Sequence, residues 1–233
     1  MRIEHCGGIA GARSARGVVV IIDVLRAFTV TAVALDRGAA ECRLVGTVAE
    51  AITLAGKIPD AVISAEEEGA PVPGIPISNS PTQMLEVEIA GRTLLQRTTS
   101  GVQAVLVASE AERILVTGLV TAAATSRWLK RSSRPLVTLV ASGEDRDHPE
   151  DRACALYLEG LLTGRKPDLA LLLGPLKASQ RFADLRAGLS AGFPPSDLEV
   201  ALQADRYGFA MPVDRDALGL LVRADRGPGS PLP

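Results

Sequence analysis

Residues 18 to 30, VVVIIDVLRAFTV, put a carboxylate at the end of an aliphatic run and a guanidinium three places later. Asp23 and Arg26 could thus offer a metal ligand and an anion clamp at one strand-to-helix turn. Other short apolar runs end in similar groups: Glu66, Glu67 and Glu68; Thr98, Thr99, Ser100 and Gly101; Ser142, Gly143 and Glu144. In open α/β sheets, ligands bind outside the carboxyl ends of strands, so these groups are expected to meet along one edge. The mixture suits a hard cation and an oxyanion. Magnesium takes carboxylate, water and phosphate oxygens, while arginine forks onto phosphate or carboxylate. Asp23 and Glu66 would supply the metal side and Arg26 the anion side. The TTSG stretch, ahead of a helical pattern, would add hydroxyls and free backbone N–H groups.

The same residues have plainer uses. Asp23 suits a helix cap, and Arg26 an ordinary i to i+3 pair with it. A run such as Glu66–Glu68 can be a solvated face, and TTSG is a common turn composition. Cys154 fits a buried small hydrophobe, and Cys6 falls in a segment expected to be flexible and glycine-rich. His5 and His148 stand alone, outside any metal-ligand spacing.

The elements that would position these groups follow from hydrophobic patterning. Strands are predicted at 18–23, 41–45, 61–64, 92–98, 113–118 and 136–142, near-continuously apolar as strands covered on both faces are. Helices are predicted at about 26–37, 47–57, 101–109, 119–131 and 150–163, the last opening on acidic residues. This alternation predicts a three-layer α/β/α domain with a mostly parallel or mixed sheet. Residues 66 to 81 break the rhythm: Pro71, Pro73, Pro76 and Pro81, with Gly69 and Gly74, exclude a regular helix or central strand. So long a loop is often functional. Residues 196–214 read as a capped helix followed by an edge strand. A single domain over 1–225 and a disordered tail over 226–233 are expected.

Composition narrows the classes. The chain has 233 residues, 47% hydrophobic, enough for a sizeable core. A net charge of -2 without a basic stripe argues against nucleic acid as a partner. No aliphatic run approaches the length of a membrane span, and the N-terminus carries no apolar signal core, so a soluble, unprocessed protein is expected. Three cysteines without CxxC spacing read as reduced thiols in a cytoplasm. Homodimerisation is the base-rate expectation for such an enzyme. Neither a G-x-G-x-x-G after the first predicted strand nor a Walker-type loop is present, which disfavours a nucleotide enzyme.

VVVIIDVLRAFTV, AEEEG, PGIPISNSP, LLQRTTSG, GEDRDHPEDRACALYLEGLL and DRYGFAMPV, in this order and approximate spacing, resemble the 2-phosphosulfolactate phosphatase family over most of the chain. The resemblance implies a magnesium-dependent phosphatase that removes phosphate from 2-phosphosulfolactate on the way to coenzyme M. By motif, it carries roles onto Asp23 and Arg26, Glu66, Asn79 with Ser80 and Pro81, Thr98, Thr99 and Gly101, and Glu150 with Asp151. Asp23, Glu66, Glu150 and Asp151 are the implied metal set. Asp23, Arg26, Glu66 and Asp151 are the implied catalytic residues. Arg26, Asn79, Ser80, Thr98, Thr99 and Gly101 are the implied contacts to a small anionic phosphoester. Three positions depart from the pattern: Glu67 replaces an arginine, and Ser100 and Thr121 replace asparagines. A like charge at 67 would cost several kcal/mol, by order of magnitude, in a poorly screened site.

The expected chemistry is hydrolysis of a small phosphomonoester in which the metal polarises the phosphoryl oxygens and Arg26 and TTSG hold the rest. Water is favoured over Asp23 as nucleophile, because Leu25 stands where aspartyl phosphatases carry their second Asp. Two other classes stay open: an anion-binding or regulatory protein with a decayed site, and a metal-assisted lyase acting on a small carboxylate.

Overall fold

Val18, Val19, Val20, Ile21 and Ile22 are all buried, which requires apolar cover on both faces of their strand. The computed structural model, which describes residues 1–143 and 148–228, supplies that cover. The chain runs β1 (Arg2–Gly7), α1 (Gly8–Ser14), β2 (Gly17–Ile22), α2 (Ala27–Asp36), β3 (Glu41–Leu44), α3 (Val48–Ala55), β4 (Val62–Glu67), β5 (Ala70–Pro71) and α4 (Pro81–Leu85). It continues β6 (Thr93–Arg97), α5 (Gly101–Val107), β7 (Ala111–Thr117), a 3-10 turn (Leu119–Thr121), α6 (Ala122–Ser132), β8 (Leu136–Ala141) and α7 (Pro149–Leu162). Last come α8 (Leu169–Leu172), α9 (Gly174–Lys177), α10 (Gln180–Arg186), α11 (Ser196–Ala201), β9 (Met211–Asp216) and β10 (Gly219–Val222).

The strands form one mixed ten-stranded sheet, ordered β1-β8-β2-β7-β9-β10-β3-β6-β4-β5. One parallel group is β1, β8, β2 and β7, and the other is β3, β6 and β4. The β9–β10 hairpin joins them through antiparallel pairs on both sides. Strand direction reverses at each of those three junctions, so the two parallel groups run oppositely within the sheet.

Side-chain alternation along β2 splits the core. Val19 and Ile21 join a cluster with α1, α2, α4 and α5, together with residues of both parallel groups such as Val116, Leu44 and Leu94. Val18, Val20 and Ile22 face the other way, onto α6, α7 and the α8–α11 segment, through Leu129, Leu158, Leu176 and Leu185. Helices thus cover both faces, giving the expected three layers. Every residue of α2 from Ala27 to Leu35 is buried. A helix apolar all round belongs inside, and the sheet wraps it with both parallel groups. Each fully buried aliphatic side chain contributes roughly 1.5–3 kcal/mol relative to exposure.

Three expectations need correction. Cys6 lies in a strand, not a flexible segment: β1 pairs in parallel with β8, with Cys6 opposite Val140. The strand predicted at an edge near 211–214 is interior, with Val213 paired to Ile114 on one side and to Val222 on the other. One neighbour, β10, is its hairpin partner, but the other, β7, lies about a hundred residues earlier in the chain, so its local pattern could not report its place. The proline-rich stretch is not loop throughout: Glu66 and Glu67 finish β4, Ala70–Pro71 pairs back on them at the sheet edge, and Pro81 opens α4 behind the N-cap Ser80. The tail expected from 226 falls mostly outside the described residues, as does Glu144.

Candidate active site

Asp23 follows β2 directly, and its carboxylate is held by backbone donors. Oδ1 accepts from the Ala27 N–H at 3.0 Å, and Oδ2 accepts from the Gly101 N–H at 3.0 Å. The cap at the start of α2 is therefore real, and it coexists with a second tie to the TTSG turn. Gly101 is required there: a Cβ would stand 2.6 Å from Asp23 Oδ2.

Asp151, in the first turn of α7, repeats the device. Its Oδ1 accepts from the Val24 N–H at 2.8 Å and its Oδ2 from the Gly143 N–H at 2.9 Å, so it ties the β2–α2 turn to the end of β8. Glu150 beside it is fully buried, and both its oxygens accept from Arg181 Nη1, at 2.8 and 2.9 Å.

Glu66 is separated from Glu67 by strand alternation, and from Glu68 by the end of β4 and the turn that Glu68 enters at φ +50. It points inward and is buried, while Glu67 and Glu68 are exposed. The turn through Gly69, at φ +81, returns the Gly69 N–H to Glu66 Oε2 at 2.6 Å, and the Thr99 N–H and hydroxyl also bind this carboxylate. The N–H groups of Thr99 and Gly101, expected to be free for an anion, are thus occupied by Glu66 and Asp23. Glu67, whose charge was expected to bear on an anion, faces out toward Arg97 at 4.0 Å. Thr121 joins a buried hydroxyl cluster with Thr117 and Thr125.

Arg26 is 4% exposed. Its Nη1 donates to Asp197 Oδ2 at 2.8 Å and to the Gly192 carbonyl at 2.6 Å, and its guanidinium lies 4.3 Å over the Phe193 ring. The expected pairing with Asp23 is replaced by Asp197. That residue also accepts from the Ser80 hydroxyl at 2.7 Å and the Thr82 N–H at 3.0 Å. Asn79 Oδ1 accepts from Gln96 Nε2 at 3.4 Å, and Thr98 Oγ1 accepts from the Val102 N–H at 3.1 Å.

A cleft of about 520 Å³ opens over this arrangement. Asp23, Arg26, Glu66, Asn79 and Thr99 line it, whereas Ser80, Thr98, Gly101, Glu150 and Asp151 stand in or behind its wall. Its far side comes from residues the sequence did not single out: His148, Arg181, Leu185 and Phe193. Asp197 and Arg181 were legible only as an N-terminal helix acid and one arginine among many.

The electrostatics are unbalanced. Burial, with Glu66 and Glu150 nearby, pushes Asp23 up to about 6. Burial raises Asp151 well above the carboxylate range, with Asp23 and Glu150 adding to it. Burial lowers the pKa of Arg26, while Asp197 favours its charge. Asp23 and Asp151, buried carboxylates that repel one another and receive hydrogen bonds from backbone rather than from cations, form a site that a hard cation would relieve. The buried Ser142 hydroxyl, one residue from Gly143, has no hydrogen-bond partner and adds an oxygen of the same hard character. The donor set therefore fits magnesium. Among the described residues, no three His, Cys, Asp or Glu side chains already converge as a preformed metal centre. No helix among them is long and apolar enough to cross a membrane.

The family model described as 2-phosphosulpholactate phosphatase matches residues 8–187. A Bacillus subtilis protein named "probable 2-phosphosulfolactate phosphatase" is 34% identical over 203 residues, covering 84% of this chain and 87% of its own. Proteins of the same name from Deinococcus radiodurans (33% over 129 residues; 55% of this chain, 54% of its own) and Symbiobacterium thermophilum (34% over 140 residues; 59% and 60%) match shorter stretches. The chain belongs to the 2-phosphosulfolactate phosphatase family, a family of phosphoric monoester hydrolases.

Proposed function

We propose that this protein is a magnesium-dependent phosphatase that hydrolyses a small anionic phosphomonoester, 2-phosphosulfolactate or a related 2-phospho acid, to the hydroxy acid and phosphate. The observation that carries this reading is that the carboxylates Asp23 and Glu66 line one cleft together with Arg26 and Arg181. A bound magnesium ion would polarise the phosphoryl oxygens and offset the charge that develops on them. Asp23 and Glu66 would hold it from the cleft side. Glu150 and Asp151 would support it from behind, where Asp151 also fixes the Val24 and Gly143 backbone. Arg26, locked by Asp197, contributes a fixed positive charge at the phosphoester end, and Thr99 and Asn79 offer polar groups beside it. Leu25, which lines the cleft two places after Asp23 where aspartyl phosphatases carry their second Asp, favours water over Asp23 as the nucleophile.

Phosphate release from 2-phosphosulfolactate, 2-phospholactate, phosphoglycolate and 4-nitrophenyl phosphate, each with magnesium and with a chelator, tests the reading. Magnesium-dependent release that favours the sulfonated substrate is expected, and would fit a step toward coenzyme M. A folded protein that releases phosphate from none of them refutes it. Labelled phosphate trapped on Asp23 would refute the water pathway alone.

A further inference from the structure

Arg181 sits on α10, outside every sequence block that pointed to the site, yet its side chain reaches the cleft and is 24% exposed there. Its Nη1 makes both bonds to the fully buried Glu150. Among the described residues, Nε and Nη2 have no protein acceptor, so this guanidinium is oriented by a buried carboxylate while part of its donor fork is unspent. Arg26 contrasts with it: Nη1 serves Asp197 and Gly192, and the guanidinium lies against Phe193. The two arginines enter the cleft from different elements, the turn before α2 and α10, and share its lining with Asp23 and Glu66.

We infer that Arg181 is a specificity residue: it binds a second anionic group, carboxylate or sulfonate, on the carbon skeleton of the phosphoester. This rests on the phosphatase reading and narrows the substrate class to phosphoesters with at least one further negative group. A planar guanidinium held from one side presents its remaining N–H groups in the geometry that carboxylate and sulfonate oxygens accept, so selectivity follows from the shape of the fork as well as its charge.

The test compares kcat/KM ratios. For the parent, Arg181→Lys and Arg181→Met, kcat/KM is measured with 2-phosphosulfolactate, 2-phospholactate and 4-nitrophenyl phosphate. In Arg181→Met, the ratio of 2-phosphosulfolactate to 4-nitrophenyl phosphate should fall about 100-fold, the loss of charge-assisted hydrogen bonds, mainly through KM. Arg181→Lys keeps a cation for Glu150 and should lose roughly tenfold, because an ammonium cannot form the fork. Equal falls for 2-phosphosulfolactate and 2-phospholactate show that the carboxylate they share is bound; a fall confined to 2-phosphosulfolactate shows that the sulfonate is. If the ratios stay at the parent values while all rates drop together, Arg181 only neutralises Glu150 and the inference fails. Should Arg181→Met not fold, Arg181→Lys decides alone by the same criterion. Calorimetric binding of sulfolactate, which needs no turnover, separates the two readings. A parent that hydrolyses nothing but binds sulfolactate, with binding lost in Arg181→Lys, would sink the phosphatase and keep the anion site; no binding and no turnover sinks both.

Discussion

Two clusters of charge occupy opposite stations in this fold. On β3, β9 and the segment after β10, Arg43 forks onto Asp216 at 2.8 and 2.7 Å and also meets Glu41 at 2.6 Å, while Arg223 reaches Glu41 at 2.5 Å. Each carboxylate there has a guanidinium, and the Arg43 hydrogen bonds hold Asp216 well below the usual carboxylate range. At the cleft, the aspartates take hydrogen bonds from backbone N–H groups instead, and Asp23 rises to about 6. The same side chain is pushed in opposite directions according to whether its counter-charge is built into the chain. A paired cluster is complete as folded; an unpaired buried one is finished only by what binds it.

The contrast breaks first at Asp23. Asp23→Asn should cut magnesium-dependent phosphate release by at least about 1000-fold, the scale of a lost charge at a metal and phosphoryl site, with unchanged circular dichroism. Full activity in that variant would remove Asp23 from the site. Next in size is Asp197→Ala, which leaves Arg26 buried without its carboxylate. Losing one partner of a buried pair costs about 3–5 kcal/mol, read in urea denaturation, and a midpoint at the parent value would show that Gly192 and Phe193 suffice.

The pH response sharpens the comparison. Asp23 binds its proton more tightly folded than unfolded, so its contribution to stability is fully present below about pH 4 and lost as pH rises through about 6. The amount is about 3 kcal/mol, seen as the difference between parent and Asp23→Asn in chelator at pH 4 and pH 7. A parent and variant whose stabilities run parallel across that window would contradict the burial argument. Asp216 has the reverse sign: its contribution is present above the ordinary carboxylate range and lost as pH falls below it. Because this carboxylate is exposed, Asp216→Asn should lower the melting temperature only slightly, and high salt should erase the difference.

Much of this was legible locally. Strand β2 and the acidic opening of α7 follow from patterning, and Asp23 with Glu66 stands out because each closes an apolar run. Asp197 was not legible as a partner of Arg26, since 171 residues separate them and nothing near either announces the other. Arg181 was hidden for the same reason, on a helix without a motif. The free N–H groups expected of TTSG were misjudged because the acceptors that take them, Asp23 and Glu66, lie on other strands.

The sequence by itself determined strands β2, β3, β4, β6, β7 and β8, helices α2, α3, α5, α6 and α7, which residue types end them, and the family, because those depend on short-range periodicity and ordered motifs. Tertiary structure alone decided the edge at which they meet. The two parallel groups run oppositely in the sheet, so strand ends do not share an edge by topology. They come together because the β9–β10 hairpin joins the groups and the sheet wraps α2, bringing the Gly101 N–H after β6 within 3.0 Å of Asp23 after β2. That closure is a property of long-range pairing and of burying one helix on all sides, and no local stretch of the chain encodes it.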